Sequence, residues 1–260
     1  MRIFDLHNDL ITAGGSDEAK RIIGKNGRRG VKALYAVWGT KLGLVDFIDK
    51  CRFLSQNAEY YSVEDASATV ADFAALPLKN LACCSLTWNY DNAFAGGAEG
   101  KSGLTEEGKR FIRFLNRKGI VVDLSHLNER SFWEAIKISD RVLATHSCPF
   151  AVKRHLRNLK DRQIAAIVEK GGIVGITPVP SFVKNGNESG YFAALDYFIN
   201  KFGCDNVALG TDYFGSDGIF GLRDYDELER KIRLHVSEKY GNYCADKVLF
   251  GNAERFFIGK

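Results

Sequence analysis

Three of the five histidines in this 260-residue chain follow short apolar runs. His7 lies in RIFDLHNDL, His126 in IVVDLSHL and His146 in RVLATHSCP. Polar residues or glycine bound each run, which is typical of a buried parallel strand. The carboxyl ends of parallel strands carry the active sites of α/β barrels, and neutral imidazole is the commonest metal ligand. The pattern therefore predicts a metal-dependent hydrolase.

Carboxylates occur at related places. Asp9 lies two residues after His7, so on an extended segment both side chains point to the same side. Glu64 directly follows an apolar run and is the best candidate for a carboxylate that bridges two ions, with its neighbour Asp65 as the runner-up. Asp212, after the last strand in VALGTD, could hold a water and move its proton. Nitrogen and oxygen ligands without thiolates suit zinc, with manganese or cobalt as alternatives.

Three further residues lie close to this pattern. Arg157 follows the sixth strand and could bind a substrate carboxylate through two hydrogen bonds, whereas a solvated surface arginine is the alternative. Asp123 precedes His126 by three residues, and we expect it to orient a ligand. We interpret Cys148 as a small residue packed beside the site, with a metal-binding or nucleophilic role as the alternative.

Eight short apolar runs, separated by amphipathic segments, predict alternating strands and helices. The predicted strands are Ile3–Leu6, Val31–Val37, Tyr60–Val63, Leu81–Leu86, Ile120–Leu124, Val142–Thr145, Gly172–Ile176 and Val207–Leu209. The named helical segments are Thr105–Lys118, Arg130–Ile138, Asp161–Lys170, Phe192–Phe202 and Glu227–Tyr240. We expect Thr105 to cap the start of its helix and Gly203 to cap the end of another.

The alternation continues without a linker rich in proline or glycine, which favours a single domain. We predict an α/β fold, a single (β/α)8 TIM-type barrel over residues 1–260, since this is the usual length of such a barrel. A doubly wound open sheet is the competing architecture. Eight strands with ligand-type residues at many strand ends favour the barrel.

Composition narrows the functional classes. The chain is 45% hydrophobic and 26% charged, which is typical of a soluble globular protein. Its net charge of +4 is spread along the sequence, so we expect no nucleic-acid partner. No run reaches the ~18–20 apolar residues that span a membrane, and no signal-like region opens the sequence. Six cysteines without paired spacing are expected to be free thiols, and we predict a cytoplasmic protein.

Several of these motifs together resemble the renal (membrane) dipeptidase family, metallopeptidase family M19. They are HND at 7–9, VDLSH at 122–126, THS at 145–147, RNLKD at 157–161, GGIVG at 171–175 and GTD at 210–212. GLTEEG at 103–108 also looks like that family's GLTxxG. The motifs occur in the family's order, and the likeness runs from residue 3 to the GNAERFF segment at 251–257.

The resemblance implies an amidohydrolase-type barrel with a dinuclear zinc centre that acts on dipeptides. The implied ligands are His7 and Asp9 for one zinc ion, His126 and His146 for the other, and Glu64 as the bridge. Asp212 would be the acid and base beside the bridging water, and Arg157 would bind the C-terminal carboxylate of the dipeptide. Relatives of this barrel often pair, which leaves a homodimer open.

The chain departs from the family pattern at three places. Glu64 is followed by Asp65-Ala66 instead of Gly-Gly. Trp88 stands where many members have a histidine that could stabilise the tetrahedral intermediate, and Asn89 is a candidate substitute. We therefore count both as candidate substrate-binding residues. The family's DxDG sequence is DYFG at 212–215 here, without the second acid.

We predict a zinc-dependent dipeptidase with Asp212 and Glu64 as catalytic carboxylates. A metal-bridging hydroxide would attack the scissile carbonyl, and Asp212 would pass the proton to the leaving amine. Whether a C-terminal D-residue is accepted is left open. One alternative is a related dinuclear metal hydrolase of another amide or lactone. The other, motivated by Trp88, is a non-catalytic binding protein on the same barrel.

Overall fold

A closed barrel of eight parallel strands forms the centre of the structure, a computed structural model that describes residues 2–219 and 225–258. Each strand pairs with the next in sequence, and the last pairs with the first. The strands are β1 (Ile3–Asn8), β2 (Val31–Trp38), β3 (Tyr60–Glu64), β4 (Leu81–Ser85), β5 (Val121–Asp123), β6 (Val142–Ser147), β7 (Val174–Ile176) and β8 (Val207–Leu209). The predicted barrel and its eight strands are confirmed, and the open sheet is excluded.

Helices follow the strands around the outside of the barrel. They are α1 (Leu10–Ala13), α2 (Ser16–Arg28), α3 (Leu44–Asn57), α4 (Glu106–Lys118), α5 (Glu129–Ile138), α6 (Asp161–Glu169), α7 (Glu188–Phe202), α8 (Tyr225–Tyr240), α9 (Asn242–Asp246) and α10 (Asn252–Ile258). Short 3-10 turns occupy Ala66–Thr69, Phe73–Ala75, Pro180–Phe182 and Lys184–Gly186, and a π turn occupies Lys247–Gly251. All five named helical segments are present.

The helix caps explain where two of these helices begin. Thr105 caps α4 as predicted, because its side chain accepts a hydrogen bond from the backbone N–H of Gly108. Helix α7 begins four residues before the predicted start, since Asn187 accepts from Gly190 N–H and nucleates an earlier turn. Gly203 ends α7 at φ 80°, a backbone conformation that glycine adopts without steric cost.

Two apolar layers hold the barrel together. One lies between the strands and the surrounding helices; the other fills the interior with side chains from six strands, including Phe4 and Leu6 of β1. The C-terminal helical segment closes the end where the strands begin. There Phe4 lies 6.2 Å from Phe250 and 5.6 Å from Phe257 between ring centroids. The opposite end, where the strands finish, is therefore the open mouth.

Register irregularities occur beside two of the singled-out histidines. The pairing of β1 with β2 shifts between Asp5 and Asn8, around His7. The pairing of β6 with β7 shifts between Ala144 and Ser147, around His146. Such irregularities re-aim side chains at the rims of barrels. Because side chains alternate along a regular strand and Leu6 faces the interior layer, we attribute the direction of His7 to this shift.

Two other sequence expectations bear on the whole chain. Among the residues that the structure describes, no helix is long and apolar enough to cross a membrane. The six cysteines are free thiols, as expected. Cys148 is buried, its thiol donates to the carbonyl of Thr177 at 3.2 Å, and burial raises its pKa to about 12, so it packs beside the site as an inert thiol.

Gly175 offers a test of how tightly the mouth is built. A Cβ there would lie 2.0 Å from the carbonyl oxygen of Thr145, next to His146. We expect Gly175→Ala to lower the free energy of unfolding by ~1–3 kcal/mol, because β6 and β7 must separate. Gly27→Ala is the matched control, since nothing lies within 4 Å of its Cβ in α2. That change should raise stability by ~0.5–1 kcal/mol in urea unfolding. Equal stability of the two variants would contradict the close packing.

Candidate metal centre

The ends of four strands place three imidazoles and two carboxylates around one point. Glu64, the last residue of β3, lies at the centre. Its Oε2 is 3.1 Å from Nε2 of His7, 3.3 Å from that of His126 and 3.6 Å from that of His146. Asp9 adds a carboxylate oxygen 3.2 Å from His7 Nε2. The structure thus brings together five residues that the sequence singled out one by one.

Asp212 supplies a third carboxylate from the end of β8. Its Oδ1 lies 3.8 Å from His7 Nε2. Burial and the Asp9 carboxylate raise the pKa of Asp212 well above its ordinary value. Gly215 leaves room for this approach, because a Cβ there would lie 2.2 Å from Asp9 Oδ2 and 2.6 Å from Asp212 Oδ1. A side chain larger than that of glycine would therefore clash with both carboxylates at this position of the DYFG segment.

The unsatisfied atoms of this cluster fit a bound cation. In the described part of the chain, both ring nitrogens of His7, Oδ1 of Asp9 and Oε2 of Glu64 are buried without a hydrogen-bond partner. Buried polar atoms in that state cost free energy. The ligand atoms of His7, Glu64 and His146 lie within 4.8 Å of one another, as do those of His7, Asp9 and Asp212. Nitrogen and oxygen donors without thiolates suit zinc.

The paired rings of His126 and His146 lead to the same conclusion. Asn89 Oδ1 lies 2.8 Å from His126 Nδ1 and can only accept, so that nitrogen carries the proton and Nε2 carries a lone pair. Arg157 can only donate, and its Nη2 lies 2.8 Å from His146 Nε2, which must therefore accept. These two acceptor nitrogens are 2.8 Å apart. A cation bound between these two nitrogens would take up both lone pairs, and that of His146 would then no longer accept from Arg157.

The histidines differ in charge. Burial lowers the pKa of His126 to about 4 and that of His146 well below its ordinary value, so both rings are neutral and able to bind a metal. At His7, burial is outweighed by the carboxylates of Asp9 and Glu64, which raise the pKa of the ring. Burial likewise opposes ionisation of Glu64, but the neighbouring imidazoles hold its pKa well below the usual range.

Arg157 places a buried cation at the edge of the cluster. It is 5% exposed, and its Nη2 also approaches the backbone oxygen of His146 at 3.3 Å. The guanidinium lies 5.5 Å from the ring centroid of Phe182, and burial lowers its pKa to about 10. Its Nε has no hydrogen-bond partner among the described residues. A buried guanidinium with an unused donor can bind an anion.

These groups open into a cavity of about 380 Å3, which suits a small ligand. Its lining residues are Asp9, Thr12, Trp38, Glu64, Trp88, Asn89, His126, His146, Arg157, Val179, Ser181, Phe182, Asp212, Phe214, Gly215 and Ser216. Trp38 and Trp88 form an aromatic wall, with ring centroids 5.2 Å apart in a T-shaped arrangement. Trp88 also lies 6.3 Å from the His126 ring. β2, which carries Trp38, is opposite β6 in the barrel order, so this wall faces the side of Arg157.

Some sequence expectations need revision. Asp65 is not near the cluster centre: its carboxylate accepts from Thr40 Oγ1 at 2.7 Å and Asn92 Nδ2 at 2.8 Å and so anchors loops. This use excludes it as the bridging carboxylate. Asn89, a candidate substrate-binding residue, has its amide oxygen engaged by His126. Sequence reasoning gave no role to Trp38, because a tryptophan that ends an apolar run carries no signal of its own.

The backbone is strained at the pocket. Among the described residues, seven other than glycine have positive φ, and three of them line the cavity. They are His126 at 68°, Asp212 at 56° and Phe214 at 70°. Such conformations cost free energy and persist where the surrounding structure enforces them, typically at functional sites.

An eight-stranded parallel barrel with imidazoles and carboxylates at its strand ends defines a metal-dependent hydrolase of the TIM-barrel class. The model of one family, membrane dipeptidase (peptidase family M19), matches residues 40–258. The chain belongs to this family of dipeptidases. The resemblance drawn from the motifs is confirmed.

Three individual proteins are similar to this chain in sequence or in fold. A Klebsiella pneumoniae protein, "Uncharacterized protein in pqqA 5'region", is 33% identical over 190 residues, which cover 64% of this chain and 67% of that one. "Dipeptidase tcpJ" of Claviceps purpurea is 24% identical over 79% of this chain, which spans half of its length. A metallo peptidase from Rhodobacter sphaeroides, liganded with a phosphinate mimic of the dipeptide L-Ala-D-Ala, shares the fold. Its TM-score is 0.83, with 22% identity over 99% of each chain.

The buried charge of Arg157 predicts a conflict between stability and ligand binding. In metal-free protein, Arg157→Met should leave the free energy of unfolding unchanged or raise it by about 1 kcal/mol, because desolvation of the guanidinium is no longer required. Urea unfolding in the presence of a chelator measures this. Arg162→Met, whose arginine is 63% exposed, is the control and should change little. A loss above about 2 kcal/mol in Arg157→Met would show that the guanidinium stabilises the fold.

Proposed function

We propose that this protein is a zinc-dependent dipeptidase whose two ions lie on either side of Glu64. The observation that carries the proposal is the position of one buried carboxylate oxygen within 3.6 Å of three ring nitrogens, beside a buried guanidinium. Such an arrangement supports both metal binding and recognition of a carboxylate. Family membership and the dipeptide mimic bound by the Rhodobacter sphaeroides relative agree with it.

The ligands divide between the two ions by position. His7 and Asp9, from the end of β1, would hold one ion, and His126 and His146, from the ends of β5 and β6, the other. Glu64 would contact both. When bound, the two ions would lower the pKa of a water molecule and polarise the scissile carbonyl.

The substrate would be positioned by its free carboxylate. Arg157 lies beside His146, so a carboxylate bound there places the adjoining peptide bond over the cluster. The N-terminal residue then extends toward the aromatic wall of Trp38 and Trp88, on the opposite side of the barrel. A peptide with one more residue after the scissile bond would place its carboxylate too far from the cluster to use Arg157. This geometry favours dipeptides over longer peptides.

Asp212 is suited to move a proton during the reaction. Its Oδ1 faces the cluster, 3.8 Å from Nε2 of His7, so the carboxyl group lies where it can accept a proton and return it. It would take the proton from the attacking water and deliver it to the leaving amine. Trp88 replaces the family's usual histidine and can donate a hydrogen bond without carrying charge. Stabilisation of the developing oxyanion would therefore depend on the metal centre.

Three further predictions, on domain extent, location and oligomeric state, accompany this proposal. All eight strands of one barrel come from this chain, which supports a single dipeptidase domain over residues 1–260. A cytoplasmic location and a homodimer remain predictions.

The proposal is tested by amino-acid release from a panel of L-L and L-D dipeptides, including L-Ala-D-Ala. The protein is loaded with zinc, and a chelator-treated sample is the control. We expect chelator-sensitive release from dipeptides and none from tri-L-alanine, with two zinc ions bound per chain. Two bound ions without dipeptide hydrolysis would favour another amide or a lactone as substrate. Failure to bind zinc would overturn the proposed centre and favour the binding-protein alternative.

The role of Asp212 is tested by Asp212→Asn. Asparagine has nearly the same shape but cannot move a proton, so we expect kcat to fall by about 10²–10⁴-fold while KM changes little. Asp217→Asn, an exposed residue five positions later, is the matched control and should retain wild-type kcat. A kcat for Asp212→Asn within about twofold of wild type would exclude the proposed proton transfer.

A further inference from the structure

Thr145 occupies an unusual position inside the barrel, between a buried carboxylate and a ring of the cluster. Its hydroxyl donates to Asp123 Oδ2 at 2.6 Å and lies 2.8 Å from Nδ1 of His146. The same carboxylate accepts from the backbone N–H groups of Ser125 at 2.9 Å and Thr145 at 3.1 Å. Asp123, Thr145 and His146 are each at most 3% exposed. The contacts therefore form a dry chain of hydrogen bonds.

The chain of hydrogen bonds has one consistent direction. A hydroxyl has a single proton, and Thr145 gives it to the carboxylate of Asp123. Toward His146 the hydroxyl oxygen can therefore only accept, so Nδ1 of the ring must carry a proton. The other ring nitrogen, Nε2, is then an acceptor. The donor-only guanidinium of Arg157, 2.8 Å from Nε2, independently requires the same tautomer.

A second copy of this arrangement lies across the barrel. Asp5 accepts from Thr211 Oγ1 at 2.6 Å and from Thr211 N–H at 2.8 Å, just as Asp123 does from Thr145. The hydroxyl oxygen of Thr211, however, accepts from the backbone N–H of Tyr213 at 3.1 Å and lies 3.2 Å from the backbone oxygen of His7, with no imidazole among its described hydrogen-bond partners. Nδ1 of His7 has no hydrogen-bond partner among the described residues. Each threonine thus donates to its own buried carboxylate, but only Thr145 also contacts an imidazole ring.

We propose that Thr145 is a positioning residue that relays Asp123 to His146, fixing the ring orientation and tautomer that present Nε2 to a metal ion. This inference rests on the proposed metal centre. A direct carboxylate–histidine contact is the common way to orient a metal-binding histidine. Here a threonine hydroxyl is interposed, so the carboxylate acts on the ring through one additional hydrogen bond. The neighbouring site histidine, His126, is oriented differently, by the amide oxygen of Asn89.

The test compares zinc affinity in three variants by competition with a chromophoric chelator. Thr145→Val keeps the shape but removes the hydroxyl, and we expect one of the two ions to bind about 10–100-fold more weakly. Thr145→Ser retains the hydroxyl and should restore that affinity. Thr211→Val loses an equivalent contact with a buried carboxylate but no ring contact, so it serves as the matched control. Thr211→Val should bind the ion that is weakened in Thr145→Val with an affinity near that of wild type.

A double-variant cycle separates positioning from general stability. His146→Ala identifies which ion depends on that ring. If Thr145 acts through His146, adding Thr145→Val to His146→Ala should leave zinc affinity unchanged, whereas the effect of Thr211→Val should be the same in both backgrounds. Thermal unfolding of the metal-free variants shows whether each is folded, and the serine variant provides the comparison if valine fails to fold.

Several outcomes would overturn the inference. Wild-type zinc affinity in Thr145→Val would show that the hydroxyl does not position the ring. Equal losses in the valine and serine variants would assign the effect to packing, and equal losses in Thr145→Val and Thr211→Val would assign it to the buried carboxylates. Wild-type protein that binds no zinc would instead contradict the proposed function itself.

Discussion

The convergence of three imidazoles on one carboxylate oxygen is the interaction on which the mouth of this barrel depends. Glu64 Oε2 faces His7, His126 and His146, which come from three different places in the strand order. In a region this dry, paired charges do not fully offset the cost of their own desolvation. A bound cation would satisfy the acceptors that otherwise face one another. Metal binding would thus resolve an electrostatic conflict that the fold itself creates.

Closure of the barrel supplies the rigidity that this conflict requires. Asp5 near the start of the chain accepts a hydrogen bond from Thr211, 206 residues later, so the first and last strands are tied together directly beneath the cluster. Asp123 and Thr145 tie β5 to β6 in the same way. Buried carboxylates that receive several N–H and O–H donors are well satisfied. They hold the strand ends in place while the side chains above them remain unsatisfied.

The two sides of the pocket have different chemistry. A buried guanidinium with an adjoining phenylalanine lies on the β6 side, and two tryptophans lie on the β2 and β4 side. A short zwitterionic peptide has a matching asymmetry, since its carboxylate and its N-terminal side chain lie on opposite sides of the scissile bond. The strained backbone of His126, Asp212 and Phe214 belongs to the same pocket. These backbone conformations lower the stability of the fold but hold the side chains in position, which is usual for a functional site.

The sequence by itself determined the barrel, because the period of apolar runs and the caps of the helices are local properties that tertiary contacts did not override. It also indicated His7, Asp9, His126 and His146, since polar residues at strand ends are visible without a structure. The tertiary structure decided which carboxylate lies at the centre: Glu64 and Asp65 are adjacent and chemically alike, and strand register turns one into the mouth and the other toward loops. It also decided how the imidazole rings are held. Hydrogen bonds such as that of Thr145 with Asp123 join residues on different strands. They depend on the direction of each side chain, which sequence spacing does not specify.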